Sequence, residues 1–80
     1  MGSNDIRERV IKVIAKVLKV EVSEISDEAN FIFDLGADSM QSLEMIAGFE
    51  EEFNIEMDQE KALEVQTIDG AVDFIAGQLN

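Results

Sequence analysis

The sequence predicts an all-α fold, a four-helix bundle with a long first loop and a short third helix. Apolar residues recur at helical spacing in four segments, and a capping residue stands at or just before the start of each. Residues 20–38 show no sustained helical period. Eighty residues allow one small domain, so residues 1–80 are expected to share a single core.

The first helix is predicted over residues 5–19, with Asp5 and Glu8 as a capping box. Its apolar and basic residues fall on opposite faces of a helical projection. The apolar face holds Ile6, Val10, Val13, Ile14 and Val17, and the basic face holds Arg9, Lys12, Lys16 and Lys19. In the loop that follows, three side chains are the expected packing anchors, namely Phe31, Phe33 and Leu35.

The second helix is predicted over residues 39–53, where Asp38 is the N-cap and Gln41 completes a capping box. Ser39 then occupies the first helical position with its hydroxyl pointing outward. A phosphate ester at that position would face unpaired backbone N–H groups and the positive end of the helix dipole. The alternative interpretation is that Ser39 only helps to start the helix.

The second helix carries two distinct faces. Its apolar face comprises Leu43, Ile46, Phe49 and Phe53. A narrower stripe, within an arc of about 60° at 100° per residue, comprises Met40, Glu44, Ala47 and Glu51. A methionine and an alanine between two acids suggest a contact surface for protein partners. The alternative is a solvated face with one stray apolar residue.

The last two helices are short. Residues 58–65 predict a third helix capped by Asp58, and Thr67 caps a fourth. The apolar face of the fourth helix comprises Ile68, Ala71, Val72, Ile75 and Leu79.

Composition excludes several kinds of chemistry. The chain has no cysteine and no histidine, so disulfides, zinc sites and histidine-based catalysis are excluded, and no catalytic or metal-binding residue is expected. No apolar run could cross a bilayer, and the start of the chain lacks a signal-peptide core, so we expect a cytoplasmic protein.

The net charge of −12 is unevenly distributed, since residues 1–19 sum to +3 and residues 20–80 to −15. This acidic surface predicts no nucleic-acid binding and no membrane insertion, and it favours basic protein partners. The alternative is that the acids serve solubility alone.

The string Leu35-Gly36-Ala37-Asp38-Ser39, followed by an acidic helix that ends Glu50-Glu51-Glu52-Phe53, resembles the phosphopantetheine attachment site of acyl carrier proteins. The resemblance runs from Ile6 to Leu79. It implies that a phosphopantetheinyl transferase moves 4'-phosphopantetheine from coenzyme A onto Ser39, beside Asp38. The terminal thiol would carry acyl groups as thioesters among synthase enzymes, and the carrier itself would catalyse nothing.

Two groups of residues have expected roles, the first from the resemblance and the second from their place in the predicted bundle. The second helix is the family's usual recognition helix, which implies that the stripe of Met40, Glu44, Ala47 and Glu51 meets basic docking patches on partner enzymes. An acyl chain is expected to insert between the second, third and fourth helices, among Leu43, Ile46, Phe49, Ala62, Val65 and Ala71. We expect a monomer.

Four positions depart from the family's pattern, namely Phe33, Met40, Gln41 and Asp58. They leave open a housekeeping fatty-acid role and a specialised role with a modified lipid or a polyketide. Two further hypotheses belong to other classes. One is an unmodified acidic helical adaptor that binds basic partners, and the other is a divalent-ion buffer, for which the chain lacks a loop motif.

Overall fold

A computed structural model describes residues 3–26 and 28–79, and four α-helices form its framework. They are α1 (Ser3–Leu18), α2 (Ser39–Phe53), α3 (Gln59–Leu63) and α4 (Ile68–Leu79). Helix α1 packs against both α2 and α4, and α3 packs against α2. The described residues form no β-strand. The predicted all-α architecture, with its long first loop and short third helix, is confirmed.

The predicted apolar faces of α1 and α4 meet in the centre of the bundle. Val10, Ile14, Ile68 and Ile75 are fully buried there. Burial of a large aliphatic side chain stabilises the fold by about 1.5–3 kcal/mol, so each of these four residues contributes substantially to the core. At the end of α4, Leu79 is 40% exposed, which corrects its predicted place on the buried face.

The buried face of α2 differs from the predicted one. Leu43 is 41% exposed, whereas Met45, which was not predicted to lie in the core, is buried. Met45 and the three correctly predicted residues of this face (Ile46, Phe49, Phe53) lie within an arc of about 100° on the helix, and Leu43 lies about 60° beyond its edge. The prediction that Leu43 belongs to the buried apolar face of α2 is therefore wrong.

The long first loop is tied to the connection between α3 and α4. The Phe31 N–H donates to the Gln66 carbonyl at 2.9 Å, and Asn30 and Thr67 form an isolated antiparallel bridge. The loop also contains one 3₁₀ turn, at Val22–Glu24. Because Phe31 is buried, the loop is fixed to the core at its middle.

Phe33 is 86% exposed, so its prediction as a packing anchor is wrong, whereas Phe31 is buried and Leu35 half-buried. The Asn30 side-chain oxygen accepts from the backbone N–H groups of Ile32 and Phe33 at 2.9 and 3.0 Å. These bonds set the direction of the turn, and the turn directs Phe33 away from the core.

Helices α1 and α2 approach each other closely at Gly48, where an added Cβ would lie 2.7 Å from Val13 Cγ1. We expect Gly48→Ala to lower the free energy of unfolding by up to about 2 kcal/mol, because overpacking costs about 1–3 kcal/mol and alanine regains about 1 kcal/mol of helix propensity. Gly77→Ala is the matched control, since a Cβ there meets nothing within 4 Å. It should stabilise by about 0.5–1 kcal/mol. Urea midpoints measure both, and equal stabilisation would contradict the close approach at Gly48.

Candidate functional site

The start of α2 is fixed by a complete capping box. The Gln41 N–H donates to the Asp38 carboxylate at 2.7 Å, and the Asp38 N–H donates to the Gln41 side-chain oxygen at 3.1 Å. Both bonds were predicted from the sequence and are confirmed. They make Ser39 the first residue of the helix.

Ser39 presents an accessible hydroxyl. The side chain is exposed, and its oxygen makes no hydrogen bond to any residue that the structure describes. The next serine, Ser42, differs because it is half-buried and donates its hydroxyl proton to the Asp38 carbonyl at 3.0 Å. Of the two hydroxyls, that of Ser39 is the one a second molecule can reach.

The backbone beside that hydroxyl has spare hydrogen-bond donors. The N–H groups of Ser39 and Met40 have no acceptor among residues 3–26 and 28–79. They lie at the positive end of the α2 dipole, where negative charge is favoured. The donors and the hydroxyl together suit a phosphate ester.

The segment before Ser39 is held against the core. Gly36 has φ +72°, a conformation that favours glycine, and its N–H donates to the Ile32 carbonyl at 3.1 Å. The Ala37 N–H donates to the Phe31 carbonyl at 2.8 Å, and the Ala37 side chain is buried. One side of this loop therefore packs inward while Ser39, two residues later, faces solvent.

The stripe of Met40, Glu44, Ala47 and Glu51 is exposed along its whole length. Met40 is 71% exposed, although it is a large apolar side chain. No basic residue lies in the first or last turn of α2. The stripe begins next to Ser39, so a protein that reaches the hydroxyl can also contact these side chains.

A cavity of about 70 Å³ lies between α2, α3, α4 and the loop. Its lining includes five of the six residues expected between these helices, namely Ile46, Phe49, Ala62, Val65 and Ala71. Leu43, the sixth, does not line the cavity, because it lies on the exposed side of α2.

Sequence reasoning missed several residues of this lining, including Phe31, Met45, Met57 and Phe74. Met57 lies between α2 and α3, where its N–H donates to the Glu50 carboxylate at 2.9 Å. This bond joins residues seven apart across the end of a helix, and no local pattern predicts it. Helical spacing could have indicated Met45 and Phe74, whereas Phe31 and Met57 lie outside the helices.

Residues 8–75 match the family model of the phosphopantetheine attachment site. The chain belongs to this family. Its match to the acyl carrier proteins, predicted from the loop before Ser39, is confirmed at the level of the family. Domains of the family bear 4'-phosphopantetheine, are typically carriers rather than catalysts, and interact with modifying and synthase enzymes.

The residues at the start of α2 fit this prosthetic group, because an exposed hydroxyl and two N–H groups without acceptors stand together there. Within the described part of the chain, no cluster of three or more acidic side chains could hold a metal ion. None of the described helices is long and apolar enough to cross a membrane.

Proposed function

We propose that this carrier is an acyl carrier protein whose 4'-phosphopantetheine arm is attached to Ser39, beside Asp38. The arm's terminal thiol supplies the thioester chemistry, and the chain presents the acyl group to enzymes of fatty-acid, modified-lipid or polyketide biosynthesis. The observation that carries this proposal is the exposed Ser39 hydroxyl at the capped start of α2. We place the protein in the cytoplasm, as a monomer.

The electrostatics of the site support attachment at Ser39. A phosphodiester carries negative charge in a chain whose net charge is already −12, so it needs local compensation. The free N–H groups of Ser39 and Met40 and the dipole of the 15-residue helix α2 supply it. The Asp38 carboxylate accepts from the Gln41 N–H, which holds this side chain in the capping box.

The cavity supports an acyl cargo. Its lining is mostly apolar, and Ser42, one turn beyond Ser39, belongs to it, so the cavity opens near the root of the arm. Ile32 and Leu63 line it although each is about half exposed, which places an edge of the cavity at the surface. Helix α3 has only five residues, so its displacement enlarges the space at little cost.

Family membership favours this carrier role over the unmodified acidic adaptor. The acidic surface then serves partner enzymes that have basic docking patches, above all the phosphopantetheinyl transferase. We assign their docking to the stripe of Met40, Glu44, Ala47 and Glu51, because it is exposed and begins next to Ser39.

Acyl loading tests the proposed function. We expect the melting temperature of the loaded protein to rise with acyl chain length and then level off, because each methylene that enters the cavity contributes at most about 0.8 kcal/mol. Acetyl, butyryl, hexanoyl and octanoyl forms are compared with the free thiol. Amide shifts at Ile46, Ala62 and Val65 should grow along the series.

Substitutions at two alanine positions form a matched pair for this experiment. Ala62 is buried and lines the cavity, whereas Ala76 is half-buried on α4 and does not line it. Ala62→Leu should fill the cavity and remove the chain-length dependence, and Ala76→Leu should keep it. A melting temperature independent of chain length in the wild type would contradict the assignment of the cavity.

A further inference from the structure

The lysines of α1 form a basic row next to the acidic stripe of α2. Lys12, Lys16 and Lys19 are exposed, and all three line an open groove of about 580 Å³ between the two helices. The opposite wall of this groove consists of Glu44, Glu51 and Glu52. The floor consists of Val13, Val17 and Gly48. Two walls of opposite charge therefore face each other across an apolar floor.

The two walls do not neutralise each other by direct contact. Across the described residues, no carboxylate lies within 4.0 Å of the ammonium group of Lys12, Lys16 or Lys19. Arg9, on the same helix, differs because its guanidinium bonds the Glu52 carboxylate at 2.8 Å. The lysine charges thus remain available to a second molecule.

The groove lies within reach of any protein that acts on Ser39. Glu44 is five residues along α2 from Ser39, a rise of about 7.5 Å, and Glu51 is about 18 Å away. A typical protein interface buries about 800 Å² on each partner. An interface of that size centred near Ser39 would extend over the groove.

We propose that the phosphopantetheinyl transferase docks across this groove with charges of both signs. Its basic residues meet Glu44 and Glu51, and its acidic residues meet Lys12 and Lys16. The proposal rests on the proposed attachment at Ser39 and adds the chemistry of the partner's surface. A surface that carries both positive and negative charges favours one orientation of its partner, because a partner bound in the reversed orientation would bring like charges together. The lysine row would thus orient the transferase over the hydroxyl.

The sign of a single charge change tests the proposal. If the transferase recognised only acids, Lys16→Glu would make the surface more attractive and lower the apparent KM. Docking with both signs predicts the opposite, a rise of about three- to fivefold at low salt. Lys61→Glu is the matched control, because Lys61 is exposed on α3, lies outside the groove and undergoes the same change in charge. It should not raise the apparent KM.

The measurement is the steady-state transfer of phosphopantetheine from coenzyme A by a broad-specificity transferase, at low and high salt. Lys16→Gln removes the charge without crowding the glutamates, so it replaces Lys16→Glu if that variant does not fold. It should raise the apparent KM about twofold. An unchanged or lowered KM for both Lys16 variants would overturn the proposal. Light scattering that finds a dimer for the wild type and a monomer for Lys16→Glu would also overturn it, because a second copy of the chain would then occupy the groove. If incubation with coenzyme A and the transferase adds no mass to the wild-type protein, the attachment at Ser39 and this proposal are both contradicted.

Discussion

Replacing Ser39 by alanine is expected to abolish modification by the transferase completely and to leave the helical circular dichroism spectrum unchanged. The Ser39 hydroxyl makes no hydrogen bond to the residues that the structure describes, so its loss costs the fold little. The Asp38 capping box is made by Gln41, and it persists in the variant. Intact mass after incubation with coenzyme A, magnesium and a broad-specificity transferase measures the effect.

Ser42→Ala is the control for this experiment. Its hydroxyl lies on the same helix, three residues further on, but donates to the Asp38 carbonyl and is half-buried. We expect full modification of this variant and a loss of stability of about 1 kcal/mol at most. Modification of the Ser39 variant, or its loss in the Ser42 variant, would contradict the assignment of the attachment site.

Changes on the exposed stripe of α2 are expected to produce the second large effect. Met40→Glu and the double change Glu44→Lys with Glu51→Lys should both impair modification without unfolding the protein, because all three side chains are exposed. Met40 can be desolvated in an apolar pocket of the partner, so it should matter more than either glutamate. Each exposed ion pair contributes only about 0.2–1 kcal/mol.

The dependence of the apparent KM on salt separates the contribution of the two glutamates from that of Met40. The double glutamate change should raise the apparent KM most at low salt, and its penalty should shrink as salt rises, because screening acts over about 8–10 Å at physiological strength. The Met40 penalty should change much less with salt. Glu24→Lys with Glu28→Lys is the matched control, since both acids are exposed in the long first loop and the change in charge is the same. Wild-type KM values for both stripe variants at low salt would place docking elsewhere.

Local signals predicted the start of α2 correctly. A capping box depends on residues three apart, so Asp38 and Gln41 sufficed to place Ser39 at the first helical position. The face of α4 was also predicted well, because Ile68, Ala71, Val72 and Ile75 repeat at helical spacing and are all buried. Where one short pattern determines the structure, the sequence was enough.

The predicted cap Asp5 is wrong, because α1 begins at Ser3 and Asp5 lies in its first turn. The other errors on α2 and in the loop lie where distant parts of the chain decide. Leu43 and Met45 lie about 160° apart at 100° per residue on α2, and the packing of α2 against α1 and α3 buries Met45 rather than Leu43. Phe33 points outward because the Asn30 side chain fixes the turn that contains it, although an apolar side chain such as that of Phe33 by itself favours burial. The groove was missed because α1 and α2 each supply one wall.

The mass of the wild-type chain before and after incubation with coenzyme A, magnesium and the transferase, followed by fragment mapping, tests the central proposal most directly. We predict the gain of one phosphopantetheine for each chain, located on Ser39. No gain in mass, or a gain located on any other residue, would contradict the proposal that this protein carries its cargo on the hydroxyl at the start of α2.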